Sequence, residues 1–244
     1  MRISALKLQK STLLIVGSFP KSVVYGGIYQ SCSLIKNSSH FSDFKLILFD
    51  SSQISNPPPK IIARIFLSGV RLIHFLFKIL IEKPTTTLIF CSDGASALEK
   101  SIMILLCKSL GIKTLIFPRA GNLINQTKKS NFFKWLIRRL FNKADVFLAQ
   151  GENWKVYANE VLKINSNKIK VVHNWTAKEE FLKVGKIKNY NIKNRIINFL
   201  FVGWLEKEKG VIEILKALKF LDGKGFKLKF TFIGDGTLMK FSKK

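Results

Sequence analysis

Acidic residues are scarce: 15 Asp and Glu stand against 41 Lys and Arg in 244 residues, a formal net charge of +26. Such an excess favours polyanions, whether nucleic acid, anionic lipid headgroups or phosphorylated substrates. An abundance of Lys, Ile, Asn and Phe is equally the mark of an A+T-rich genome, and net charge speaks to association rather than fold. Cysteine is rare as well. Cys32, Cys91 and Cys107 are odd in number, widely spaced and set among apolar residues. That excludes a disulfide framework and leaves reduced core thiols in a cytosolic protein. No cluster of Asp, His or Cys has the spacing of a metal site. Long apolar runs are missing too. Leu13–Val16 is too short for a secretory signal. The stretch Ile61–Ile81 is interrupted by Arg64, Arg71, His74 and Lys78. Burying those charges would cost ~2.5–3.5 kcal/mol each at a bilayer centre, so a span is not expected. Arg64, Arg71 and Lys78 recur every seven residues, which predicts a helix with a basic outer edge, or one lying among headgroups. Phe132–Phe141 (FFKWLIRRLF) is a shorter example of the same kind.

What is present is a regular alternation. Short continuous apolar runs occur at Thr12–Val16, Phe44–Phe49, Thr87–Cys91, Lys113–Phe117, Asp145–Ala149 and Ile169–His173. Unbroken runs of this length predict strands covered on both faces. Between them, helical periodicity marks Gly27–Lys36, Ile61–Glu82, Ser96–Leu110, Asn131–Phe141 and Asn153–Lys163. Strand–helix alternation specifies an α/β fold with a doubly wound parallel sheet, here over residues 1–175. A polar stretch at 176–195 reads as a linker. The alternation restarts at 196–244 with strand Ile196–Val202, helix Val211–Leu221 and strand Lys227–Ile233, the opening of a second Rossmann-like domain.

Open α/β sheets bind ligands beyond the carboxyl ends of their strands. After the first strand, a loop ends in Gly26-Gly27 and opens a helix, so backbone can approach a phosphate there. No G-x-G-x-x-G follows that strand, which argues against a dinucleotide oxidoreductase, and the P-loop sequence is lacking. At the start of the second domain, Phe199-Leu200-Phe201-Val202-Gly203-Trp204-Leu205 leads to Lys209-Gly210 at a helix start. The next strand runs into Phe232-Ile233-Gly234-Asp235-Gly236-Thr237-Leu238. A lysine at a helix N-terminus suits a diphosphate.

In this order, and following Lys170–Trp175, these segments resemble the family-four glycosyltransferases of the two-domain GT-B type. The resemblance implies transfer of a hexose-type sugar, with retention, from a nucleotide-diphosphate sugar to a glycan or lipid-linked acceptor. It implies a metal-free donor site with no cofactor, at Gly203, Lys209, Gly234 and Gly236, although Lys209 could be a solvated surface lysine and the last two glycines could simply turn the chain. From their place at a helix start, Gly26 and Gly27 would join the donor site or form a simple turn. Trp204 would stack on a base or sugar or merely pack. Asp93 and Arg119 stand where the acceptor would lie, although Asp93 could equally cap the following helix. Three departures are evident. Trp204 occupies a position where the family commonly has Arg, and Phe117–Asn122 replaces a loop that often carries His. The family's paired glutamates, seven residues apart, would fall beyond Lys244, so the chain is expected to stop early in its second domain. The expected location is cytoplasmic, at the inner face of an anionic membrane. The rival readings are a non-catalytic remnant and a basic nucleic-acid-binding protein. The latter lacks any helix-turn-helix, zinc-finger or RNA-recognition signature.

Overall fold

The computed structural model describes residues 11–19, 26–55, 59–175, 179–187 and 196–239. The chain divides into two compact units, Met1–Ala177 and Lys178–Lys244.

The first unit is built on six parallel strands: β1 (Thr12–Gly17), β2 (Lys45–Asp50), β3 (Thr86–Cys91), β4 (Lys113–Pro118), β5 (Val146–Ala149) and β6 (Ile169–Val171). Their order is β2-β1-β3-β4-β5-β6, the direction reversing at β1. Alternate side chains of each strand enter opposite cores. Leu14, Val16, Ile89, Cys91, Ile116 and Phe147 pack on one face. Leu13, Ile15, Leu88, Phe90, Phe117 and Leu148 pack on the other. Burial on both faces is why these runs are continuously apolar.

The first face is covered by α2 (Ile61–Glu82), α3 (Gly94–Ser109), α5 (Asn131–Phe141) and α6 (Glu152–Val156), through Phe75, Ile79, Met103, Ile104, Ile137, Phe141 and Trp154. Each fully buried side chain of this size contributes about 1.5–3 kcal/mol. The second face carries α1 (Gly27–Lys36), through Cys32 and Ile35, and the segment after β6, through Trp175. Cys32 lies so close to Gly17 that a β-carbon there would meet its sulfur. All three cysteines are buried and free. Burial pushes the Cys32 and Cys107 thiols up to about 11 and Cys91 to about 12.

The structure refines the expected elements in three places. An additional helix, α4 (Asn122–Lys129), occupies the loop after β4. The helix after β5 leaves α geometry after Val156 and continues as a π turn over Tyr157–Val161. Within 176–195, Glu179–Ile187 is helical (α7), while residues 176–178 and 188–195 lie outside the described residues.

The basic edge expected on α2 is not continuous. Arg71 turns inward, its Nη1 donating to both Glu99 carboxylate oxygens at 3.0 and 2.9 Å. Lys100 Nζ donates to the same carboxylate at 2.9 Å, and Ser68 Oγ at 3.0 Å. Lys78 pairs with Glu82 one turn on. Burial opposes ionisation of Glu99, but the Lys100 and Arg71 cations outweigh it and hold the carboxyl below its ordinary range. Three charges under one helix are tolerated because each has a partner.

The second unit has two parallel strands, β7 (Ile197–Val202) and β8 (Leu228–Ile233), linked by α8 (Val211–Asp222). No residue of either strand is buried, whereas five of six are buried in both β1 and β3.

Candidate functional site

The sequence-predicted residues fall into two groups, one at the carboxyl ends of each unit's strands. In the first unit the loop after β1 is fastened to the loop after β2. Phe19 N–H and Ser52 N–H both donate to Asp50 Oδ1, at 2.9 and 3.0 Å, and Ser51 N–H donates to the Gly17 carbonyl at 2.8 Å. Gly26 and Gly27 begin α1, and a β-carbon on either would meet open space. Packing therefore does not demand glycine at these positions.

Asp93 occupies the N-cap position of α3 but makes no capping bond through its side chain. The carboxylate instead accepts from Ser92 Oγ at 3.0 Å and from Asn122 and Gln126 of α4. Gln126 Oε1 also accepts the Gly94 N–H at 2.8 Å, where φ is +51°, a left-handed conformation that favours glycine. The capping alternative for Asp93 thus gives way to a side-chain tie between the β3 and β4 loops. Helix α4 was illegible as a separate element because its polar sequence, NLINQTKK, buries only Leu123 and Thr127.

Arg119 is directly beside this cluster, its N–H donating to the Cys91 carbonyl at 2.8 Å. Its guanidinium lies 4.9 Å from the Phe117 ring and 5.4 Å from the Trp175 ring, and Nη2 donates to Ser31 Oγ at 2.9 Å. Nη1 is buried without a hydrogen-bond acceptor among the described residues. Burial draws the guanidinium below its ordinary value, and stacking on two rings offsets part of that cost. Trp175 was not singled out from sequence. It stacks on Phe117 at 5.5 Å and donates Nε1–H to the Ser31 carbonyl at 3.1 Å, fixing α1, β4 and the β6 exit to one another. The unexplained tryptophan after the last strand was the available signal.

In the second unit the β7 and β8 exits interlock. Gly203 N–H donates to the Ile233 carbonyl at 3.0 Å and Leu205 N–H to the Asp235 carbonyl at 2.8 Å. A β-carbon on Gly234 would collide with the Gly203 carbonyl, and one on Gly236 would lie 2.6 Å from the Leu205 oxygen. Close backbone approach therefore accounts for both glycines. A β-carbon on Gly203 would make only ordinary contacts. Glu206, missed in sequence, accepts from Thr237 N–H at 3.1 Å and Oγ at 2.6 Å. Those two bonds hold its carboxyl below the ordinary range. Trp204 is 37% exposed. Lys209 is exposed on the turn leading to Gly210, which caps α8 at φ +75°. The structure therefore brings Gly203, Trp204, Gly234 and Gly236 together, with Lys209 at the adjoining helix start. Gly26, Gly27, Asp93 and Arg119 belong to the other group.

Comparison with solved structures settles the architecture. An S. aureus MnaA–UDP structure aligns at TM-score 0.59 and 14% identity, over 96% of this chain and 64% of that one. An E. coli structure, named as trehalose-6-phosphate bound with UDP-2-fluoro glucose, aligns at TM-score 0.53 and 12% identity, over 93% and 65%. A Rickettsia africae glycosyltransferase aligns at TM-score 0.52 and 16% identity, over 96% and 62%. The fold is of the GT-B type. At these identities the likeness is one of fold. No family model matches the chain. A curated Klebsiella pneumoniae protein, an uncharacterized 41.2 kDa protein in a cps region, is 31% identical over 136 residues, 54% of this chain. The chain spans 37% of that relative's length and under two thirds of each solved structure.

Proposed function

We propose that the protein is a glycosyltransferase of the family-four kind. It moves a sugar from a nucleotide-diphosphate sugar to a glycan or lipid-linked acceptor in cell-surface polysaccharide synthesis. One observation carries this reading: the interlocked exits of β7 and β8, with glycines imposed by backbone contact, stand beside a helix start bearing Lys209 in a GT-B fold. The interlocked exits hold the start of α8 in place, and the first-turn N–H groups and positive potential of that helix terminus, beside Lys209, suit a phosphate.

In the proposed reaction the bond between the anomeric carbon and the diphosphate oxygen breaks. A bond from the acceptor oxygen to that carbon forms on the same face, and the acceptor hydroxyl's proton passes to the departing diphosphate oxygen. Lys209 and fixed N–H donors stabilise the leaving diphosphate, a preorganised electrostatic role. Trp204, where the family commonly uses Arg, stacks on the base or sugar instead of holding the diphosphate. In the first unit, Gly26 and Gly27 receive donor phosphate, while Asp93 and Arg119 address the acceptor. The location is cytosolic and peripheral at the inner membrane face. A glycosyltransferase among the aligned structures, two others named with UDP or a UDP-sugar, and a relative from a cps region support this reading.

Titration calorimetry with UDP-glucose, UDP-N-acetylglucosamine and GDP-mannose tests it. At least one should bind, and Lys209→Ala should weaken that binding about 10- to 100-fold, the worth of one charged hydrogen bond. Failure of all three to bind, or binding indifferent to Lys209, overturns the reading.

A further inference from the structure

Helix α2 is apolar on both sides: Phe75 and Ile79 are buried beneath it, and a second apolar stripe faces out. A water-facing helix turns its polar residues outward. Here the ionic contacts of Arg71 with Glu99 lie beneath the helix, and Ser68 joins them. The outward stripe at spacings of four, seven, four and four is Ile62, Phe66, Ile73, Phe77 and Ile81, with exposures from 57% (Ile73) to 79% (Ile62). At 1.5 Å per residue this stripe runs for about 28 Å. On α5, in the same helix layer, Phe132 and Trp135 stack at 6.1 Å and are likewise exposed, at 71% and 53%. Beside Trp135 is an open groove of about 500 Å³ lined by Arg138, Arg139, Lys143 and Lys163 with Asn142, and by no carboxylate.

We infer that the outer surface of the helix layer α2, α3 and α5 docks on an anionic bilayer, the α2 stripe entering the acyl boundary and the cationic groove beside α5 receiving lipid phosphate. In that layer α3 lies between the other two and exposes Ile102 and Leu105. The inference deepens the membrane location proposed above and rests on that reading, but not on sugar transfer. The surface lies on the membrane, since among the described residues no helix is long and apolar enough to cross one. Charge selects the occupant. A second copy of a chain carrying +26 would bring like charge against the cationic groove, whereas anionic headgroups complement it. The aromatic pair on α5 suits the interface, where one side of a ring is apolar and the other wet.

The test is co-sedimentation of the whole chain with phosphatidylcholine vesicles, with and without phosphatidylglycerol. Binding is expected to the anionic vesicles and to fall as salt rises. Phe66→Asp with Phe77→Asp should reduce it by at least about tenfold. Arg138→Glu with Arg139→Glu should reduce binding to anionic vesicles and leave the residual neutral binding unchanged. All four positions are exposed, and matched circular dichroism melts of the variants establish that they fold. Equal pelleting with neutral and anionic vesicles, or unaltered binding by the Phe66/Phe77 variant, overturns the inference. So does a dimer that the same variant dissociates, found without vesicle binding, since the occupant would then be a second copy. Calorimetry with nucleotide sugars, run in parallel without lipid, separates failure of docking from failure of the transferase reading.

Discussion

The two units are written in the same local grammar and end in different states of burial. Both use short apolar strands, a helix between them and glycine at the strand exits. In the first unit, Leu14, Ile15, Val16, Ile89 and Phe90 are at most 1% exposed, because helices cover both faces of six strands. In the second, Phe199, Leu200, Val202 and Ile233 are from 43% to 68% exposed on a two-stranded sheet. An apolar run specifies a strand. Whether it is buried depends on layers contributed by residues distant in sequence, and small units bury a smaller share of their surface.

The largest expected effect lies beneath α2. Glu99→Gln leaves Arg71 and Lys100 without their counter-charge and should cost about 3–5 kcal/mol, read as a fall in the denaturant midpoint. Phe90→Ala should cost a similar ~3–5 kcal/mol, whereas Phe199→Ala, at 43% exposure, should cost far less. Equal losses for the two phenylalanines would break the comparison.

Acid titration sharpens it further. The folded-state carboxyl of Glu99 is held low, so its stabilisation is present above the ordinary carboxylate range and is lost as pH falls through the depressed folded value. Melts of the Glu99→Gln variant should therefore depend less on acid pH than those of the parent, and identical slopes would refute this assignment.

Gly234→Ala should cost about 1–3 kcal/mol by forcing the β8 exit away from the Gly203 carbonyl. Its readout is weakened nucleotide-sugar binding together with faster amide exchange confined to the second unit. At the small end, Leu200→Ser should change stability by no more than about 0.5 kcal/mol. A larger loss would mean that Leu200 is covered in solution.

Much of the fold could be read from the chain. The runs at Thr12, Lys113 and Ile169 became strands because unbroken apolar sequence suits a doubly covered parallel sheet. The candidate site was less legible. Gly203 and Gly234 can be noticed in sequence, but only the paired strand exits reveal that Gly234 faces a carbonyl. Asp93 carried two readings, and its tie to Asn122 and Gln126 required α4, whose polar sequence gives little helical signal. The spacing of Arg64, Arg71 and Lys78 placed them near one helical face but did not reveal which way that face points.

Sequence by itself determined the order of the strands and of the helices between them apart from α4 and α7, the parallel α/β class and the glycine-bearing strand exits, because those follow from local periodicity and backbone freedom. Tertiary structure alone decided that Arg71 faces inward to Glu99, that Trp175 closes over Arg119, and that the apolar stripe of α2 faces out. Each of those depends on which distant groups supply a counter-charge, a ring or a covering layer, and no local pattern encodes that.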